Sequence, residues 1–118
     1  MFVVDDDPSM RKGVGRLLRQ HGFNVVVFDS ADALLNAGNL REAFCIILDI
    51  NLADASGIEL RRRLTGMGVG APVIFITGHD SPANRASAID SGCIAYLTKP
   101  FVAQSLVDPV ERASAMIV

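Results

Sequence analysis

Five short apolar runs, rich in Val and Ile, alternate along the chain with segments that have helical spacing. The runs cover residues 2–4, 24–28, 44–48, 72–76 and 93–97, and their length and β-branched content favour strands. A helix between each pair of strands is typical of crossover connections in a parallel sheet with both faces covered. The pattern therefore predicts an α/β fold with a doubly wound, five-stranded parallel sheet.

Capping residues support the same alternation. Asp7 before Pro8 and Ser81 before Pro82 predict helix starts, and Ser30 predicts another. Glycine residues predict the ends of the first, third and fourth helices: Gly22, Gly66, Gly68 and Gly92.

Composition excludes several classes of protein. The 118 residues suit one domain, and a net charge of -2 without a long basic tract argues against direct binding of nucleic acid. The acidic residues Asp5, Asp6 and Asp7 interrupt the N-terminal apolar stretch, so no signal peptide is predicted, and no apolar run has membrane-spanning length. Cys45 and Cys93 lie in apolar runs and are expected to be free thiols, which favours a cytoplasmic location.

Candidate site residues follow four of the five predicted strands, whereas Asp29 after the second points toward the edge of the sheet. Asp5 and Asp6 follow the first and Asp49 follows the third; Thr77 and Lys99 come after the fourth and fifth. Because ligands of doubly wound folds bind at the carboxyl ends of the strands, these side chains are expected to converge. Each residue alone has a simpler explanation as a helix cap or turn residue, and only the joint placement indicates a site.

The residue types indicate a particular chemistry. Clustered carboxylates need a counter-charge, and Mg²⁺ binds to a few carboxylates together with phosphate oxygens. A carboxylate can also attack phosphorus to give an aspartyl phosphate. An ammonium such as that of Lys99 would neutralise phosphoryl oxygens, and the Thr77 hydroxyl would donate a hydrogen bond to one of them.

The chain resembles the response-regulator receiver family of two-component phosphorelays over essentially its whole length. The resemblance is carried by Val3-Val4-Asp5-Asp6-Asp7, Asp49, Thr77-Gly78 and Lys99-Pro100-Phe101, in matching order and spacing. It implies a flavodoxin-like (βα)5 receiver fold with strand order 2-1-3-4-5.

The resemblance also implies the roles of the site residues. Asp49 would be the phospho-acceptor, with Thr77 and Lys99 as its catalytic partners. The metal ligands of Mg²⁺ would be Asp5, Asp6, Asp49 and the backbone carbonyl of Asn51, with Asp6 binding directly and Asp5 partly through water.

The same resemblance implies a phosphoryl donor and a signalling surface. A histidine kinase or a phosphotransfer protein would supply the phosphoryl group from a phosphohistidine, and the domain would catalyse only its own phosphorylation and dephosphorylation. Thr77 and Tyr96 would act as switch residues that alter the surface of the fourth helix, fifth strand and fifth helix, through which an output domain or a homodimer could be engaged. The Lys99–Pro100 peptide bond is expected to be cis.

Two positions depart from the family pattern. Ala53 replaces a usual proline, so the loop of residues 51–56 is expected to be more mobile than is typical. Pro109 falls inside the predicted fifth helix, residues 102–115, and is expected to shorten or bend it. We expect residues 1–118 to form a single receiver domain, with no output domain in this chain.

Three other functions fit these residues less well. A phosphohydrolase of the haloacid dehalogenase type would have its nucleophile after the first strand in a DxD motif, which Asp49-Ile50-Asn51 does not match. A flavodoxin-like cofactor carrier would need a Ser/Thr/Gly-rich phosphate loop where the acidic residues stand. A degenerate receiver that only binds partners would have lost site residues that are present here.

Overall fold

The computed structural model describes residues 1–116, so the last two residues of the predicted domain lie outside the described part. The strands are β1 (Phe2–Val4), β2 (Val26–Phe28), β3 (Ile46–Asp49), β4 (Val73–Thr77) and β5 (Ala95–Thr98). The helices are α1 (Pro8–Gln20), α2 (Ala31–Leu35), α3 (Gly57–Gly66), α4 (Pro82–Asp90) and α5 (Ala103–Ala115), with a short 3-10 helix at Leu40–Glu42.

The five strands form one parallel sheet in the order β2-β1-β3-β4-β5, which confirms the predicted fold class and strand order. The register pairs Val3 with Ile47, Ile47 with Ile74 and Ile76 with Leu97. Since all strands are parallel, their carboxyl ends lie at the same edge of the sheet. The order reverses between β1 and β3, and ligands of such folds bind beside this reversal.

Two apolar cores cover the two faces of the sheet, because neighbouring residues of a strand point to opposite sides. On one face, Ile46, Leu48 and Phe75 pack in a cluster with residues of α2, α3 and α4. On the other face, Ile47 and Ile74 pack in a cluster with residues of α1 and α5. Every residue of β3 and β4 is buried, as expected of central strands covered on both sides.

The predicted helix caps are present. Asp7 accepts a hydrogen bond from the Ser9 N–H, Ser30 from Ala33, and Ser81 from Asn84. The chain leaves α1 through Gly22, whose φ of 86° is in the left-handed region that glycine adopts without steric cost.

The last helix corrects one prediction. The sequence pattern predicted a shortened or bent helix at Pro109. The shortening is wrong, because α5 continues as one α-helix for 13 residues with Pro109 inside it, and the bend stays a prediction. Proline in a helix interior costs about 3 kcal/mol through the missing N–H and the ring clash. Pro109 itself is buried, and Leu106, Val110 and Ala113 of the same helix lie in the core against the sheet. Burying three such side chains offsets a cost of that size.

Both cysteines are free thiols, as predicted. Cys45, which precedes β3, is buried in the core that includes residues of α1 and α5, and burial raises the pKa of its thiol to about 12, whereas Cys93 is only partly buried. From Met1 to Met116, no helix has both the length and the apolar character needed to cross a membrane.

Candidate functional site

Four chain segments bring polar side chains to the carboxyl edge of the sheet. Asp5 follows β1, Asp49 is the last residue of β3 and Thr77 the last of β4, while Lys99 follows β5. The backbone N–H of Lys99 donates to the Thr77 carbonyl at 2.7 Å, which continues the pairing of β4 and β5 by one residue. The Lys99–Pro100 peptide bond is cis, as expected.

The Lys99 ammonium joins the two buried acids of this edge. Its Nζ lies 2.9 Å from Oδ2 of Asp5 and 3.1 Å from Oδ2 of Asp49. The other oxygen of each carboxylate accepts a backbone N–H, from Asp7 to Asp5 at 2.9 Å and from Asn51 to Asp49 at 3.1 Å. Asp5 has no exposed surface and Asp49 only 4%, so both carboxylates are held by specific partners rather than by water.

Burial and neighbouring charges shift the pKa values of Asp49 and Lys99. Burial raises the pKa of Asp49 above its ordinary value; the Asn51 N–H opposes this shift, and repulsion from the Asp5 carboxylate adds to it. Desolvation acts to lower the pKa of Lys99, but its hydrogen bonds to Asp5 and Asp49 outweigh this and raise it. Lys99 is therefore a firmly charged ammonium between two acids.

The acidic residues at this edge fit a divalent cation. Asp5, Asp6 and Asp49 each offer a carboxylate oxygen within 4.8 Å of the others. Against three carboxylates stands the single ammonium of Lys99, so the group carries an excess of two negative charges when all are ionised. Oxygen ligands and a small number of carboxylates suit Mg²⁺, and Asp6 is exposed and accessible to it.

Thr77 is connected to the acidic cluster through Asn51. The buried Thr77 hydroxyl oxygen accepts the His79 N–H at 3.0 Å and the Asn51 side-chain amide at 3.4 Å. The role of the Asn51 backbone carbonyl as a ligand stays a prediction, since these contacts involve its N–H and its side chain. Because the Thr77 oxygen acts as acceptor, its own hydrogen is free to be donated.

Tyr96 of β5 stands apart from the acids and is joined to the loop after β4. Its hydroxyl donates to Oδ1 of Asp80 at 2.9 Å, and Arg85 binds Oδ2 of the same carboxylate at 3.1 Å. The Arg85 guanidinium also lies 4.7 Å from the centre of the Tyr96 ring. Burial and the hydrogen bond to Asp80 raise the pKa of Tyr96. Both predicted switch residues, Thr77 and Tyr96, thus contact the same β4–α4 loop.

Sequence reasoning missed three residues that support the site. Arg11 of α1 donates to the backbone carbonyl of Asp5 at 2.8 Å, and its place one helical turn after Asp7 was a usable signal. Asp54 accepts hydrogen bonds from two backbone N–H groups of α2. Because α2 lies more than twenty residues away in the chain, no local sequence pattern indicated this contact. Gly57 begins α3 at a point of close approach, where a Cβ would lie 2.2 Å from the carbonyl oxygen of Asp49.

Comparisons with known proteins agree with this geometry. A family model described as the response regulator receiver domain matches residues 1–111. Nodulation protein W of Bradyrhizobium diazoefficiens is 37% identical over 114 residues, which is 97% of this chain and 50% of that protein. Transcriptional regulatory protein FixJ of Rhizobium meliloti is 33% identical over 119 residues, covering 100% of this chain and 58% of that protein.

Solved structures give the same result for the fold. The response regulator StyR superposes with a TM-score of 0.89 at 40% identity, covering 98% of this chain and 58% of that one. The crystal structure of FixJ-N has a TM-score of 0.87 at 33% identity and covers 99% and 94% of the two chains. The present chain spans about half the length of the curated relatives.

Proposed function

Because the chain belongs to the response regulator receiver family of two-component systems, we propose that it accepts a phosphoryl group on Asp49 in a Mg²⁺-dependent reaction and acts as a signalling switch. The observation that carries the proposal is the bridge from the Lys99 ammonium to Asp5 and Asp49. It joins a buried candidate nucleophile to a cation, beside acids that suit a metal.

The proposed reaction is a transfer between two nucleophiles. A carboxylate oxygen of Asp49 attacks the phosphorus of a phosphohistidine on a histidine kinase or a phosphotransfer protein. The new O–P bond forms as the N–P bond breaks. The electron pair of the N–P bond stays on the imidazole nitrogen, and the imidazole takes up a proton. Burial favours the step, because an attacking carboxylate held away from water has little hydration to lose.

Positive charge near Asp49 supports the same step. Lys99 is already within hydrogen-bond distance of Asp49, so its ammonium is placed to bind a phosphoryl oxygen as that group becomes attached. Asp5, Asp6 and Asp49, with the Asn51 carbonyl, would hold Mg²⁺. When bound, the metal supplies the divalent charge that offsets the carboxylates and the phosphoryl oxygens. Self-dephosphorylation is the corresponding attack of water on the aspartyl phosphate.

The switch would begin at Thr77. Its hydroxyl hydrogen can be donated to a phosphoryl oxygen on Asp49. A displacement of the hydroxyl toward that group would lengthen the hydrogen bonds that its oxygen now accepts from His79 and Asn51. Tyr96 is tied through Asp80 to the same loop. A move of that loop would therefore alter the surface of α4, β5 and α5, as a shift between two populated states. We propose this surface as the one that engages an output domain or a second receiver.

The proposed setting follows from the family. Two-component partners and the two free thiols favour the cytoplasm. FixJ, one of the relatives, is a transcriptional regulatory protein. This chain is proposed to act by protein–protein contact rather than by binding nucleic acid itself.

Modification with a small donor tests the proposal. We expect acetyl phosphate with Mg²⁺ to add one phosphoryl group, detected by intact mass, and beryllofluoride with Mg²⁺ to perturb the amide resonances of residues around Asp49. Both signals should be absent without Mg²⁺ and absent in Asp49→Asn. Asp29→Asn is the matched control, because Asp29 is an exposed acid that follows β2.

Two results would contradict the proposal. One is an unchanged adduct in Asp49→Asn, which would place the phosphoryl group elsewhere. The other is rapid multiple turnover of simple phosphate esters, which would indicate a phosphohydrolase.

A further inference from the structure

The side chain of Asp54 connects the loop after β3 to the first turn of α2. Its Oδ1 accepts the N–H of Ala31 and its Oδ2 accepts the N–H of Asp32, both at 3.2 Å. The hydroxyl of Ser30 accepts the next N–H, that of Ala33, at 3.0 Å. One carboxylate thus satisfies two of the free donors at the start of α2, where a negative charge is also favoured by the peptide dipoles.

Asp54 lies at the tip of the loop that begins at the proposed metal site. The base of the loop is closed by a bridge between Asn51 and Ser56, and Leu52 is buried in the core. Among the described residues 1–116, residues 52–55 are hydrogen-bonded to another element only through the side chain of Asp54, which binds α2. The loop contains Ala53 instead of proline, so the backbone itself restricts the conformation of the tip less.

We propose that Asp54 is a positioning residue for the metal site, because it holds the loop of Asn51 in the conformation that binds Mg²⁺. The inference rests on the proposed function, which makes the Asn51 carbonyl a ligand. A loop that is ordered before the metal arrives leaves less conformational entropy to be lost on binding. Asp54 does not touch the metal in this scheme and acts only through the loop.

Reciprocity extends the inference to α2. If the contact of Asp54 with α2 favours Mg²⁺ binding, then bound Mg²⁺ must favour that contact by the same factor. Occupation of the metal site should therefore stabilise the first turn of α2, although Ala31 and Asp32 belong to a different element from any proposed ligand.

A titration of the protein with Mg²⁺ alone, monitored through its amide resonances, tests whether Asp54 favours Mg²⁺ binding. Asp54→Ala removes both hydrogen bonds to α2, and we expect it to raise the half-saturating Mg²⁺ concentration about fivefold. Asp54→Asn keeps one acceptor oxygen and should fall between wild type and Asp54→Ala. Asp32→Ala is the matched control: it removes an exposed carboxylate from the same turn while leaving its own N–H, and it should change the value less than twofold.

Hydrogen exchange tests whether bound Mg²⁺ stabilises the first turn of α2. In the wild type, saturating Mg²⁺ should slow exchange of the Ala31 and Asp32 amides about fivefold, and this protection should disappear in Asp54→Ala. A merely structural role for Asp54 would lower thermal stability but would leave the Mg²⁺ titration unchanged. If Asp54→Ala is too unstable to titrate, Asp54→Asn decides the question.

The failures can be told apart. Half-saturation in Asp54→Ala equal to that of wild type, or Mg²⁺-independent exchange at Ala31 and Asp32, would overturn this inference while leaving phosphorylation of Asp49 intact. A wild-type protein that binds no Mg²⁺ and forms no adduct would overturn the proposed function and this inference together.

Discussion

Replacing Gly57 by alanine tests whether Asp49 is positioned by direct contact with the backbone of α3. The added Cβ would lie 2.2 Å from the Asp49 carbonyl oxygen, 2.9 Å from its carbon and 3.0 Å from Cα of Ile50. Comfortable contacts are longer by about 1 Å, and the neighbours are backbone atoms that no side-chain rotation can move aside. Either the start of α3 or the end of β3 must shift by roughly that amount.

The added Cβ should reduce both stability and the rate of phosphorylation. Overpacking of a well-packed interior costs about 2 kcal/mol, which in a domain of this size corresponds to a fall in Tm of about 8 °C. A misplacement of the nucleophile by about 1 Å can lower the rate of phosphorylation by up to about 100-fold. Thermal unfolding and the rate of Mg²⁺-dependent modification by acetyl phosphate measure the two effects.

Gly66→Ala is the control for this substitution. Gly66 ends the same helix, and a Cβ there would meet no atom within 4 Å. We expect Tm to be unchanged or slightly raised, because alanine loses less conformational entropy in a helix than glycine, and modification to proceed as in wild type. If Gly57→Ala behaved like Gly66→Ala in both assays, the close approach would not position Asp49 and the reasoning would be refuted.

Three further predictions follow from other contacts. Pro109→Ala restores an N–H that can bond to the Ser105 carbonyl but removes buried ring atoms, so we expect chemical denaturation to show a net stability gain of about 1 kcal/mol rather than the full cost of about 3 kcal/mol; a net loss would mean that the packing of the proline ring outweighs the missing bond. Asp49→Asn should be more stable than wild type at neutral pH, because the raised pKa of Asp49 means that folding disfavours its charge. That advantage should be fully present above the raised pKa and vanish below the ordinary carboxyl value of about 4, where Asp49 is neutral in both folded and unfolded chains; a difference that persisted in acid would contradict the assignment. Finally, Asp80→Asn should lower the pKa of Tyr96, the single tyrosine of a chain without tryptophan, and phenolate absorbance during a pH titration would show an unchanged pKa if the hydrogen bond did not contribute.

Much of the site was predictable because it depends on local patterns combined with one topological rule. Apolar runs and capping residues locate the strands and helices, and parallel strands must present their carboxyl ends at one edge. Asp5, Asp49 and Lys99 could therefore be expected to converge, and they are in hydrogen-bond contact. The strand boundaries differ from prediction by at most two residues: the second, third and fifth strands begin two residues later, and Asp49 and Thr77 end their strands instead of following them.

Contacts between distant segments could not be predicted in this way. The attachment of Asp54 to α2 and of Tyr96 to Asp80 depends on how the loops at the sheet's edge approach each other, which no periodicity encodes. Pro109 shows the same limit for energetics. The local preference of proline opposes a helix. The free energy gained by burying several side chains of α5 against the sheet outweighs that preference. The sequence alone determined the order of the elements and the chemistry at the strand ends, because both arise from short-range patterns. Only the tertiary structure decided which loops contact one another and where packing overrides local propensity, because those energies belong to residues far apart in the chain.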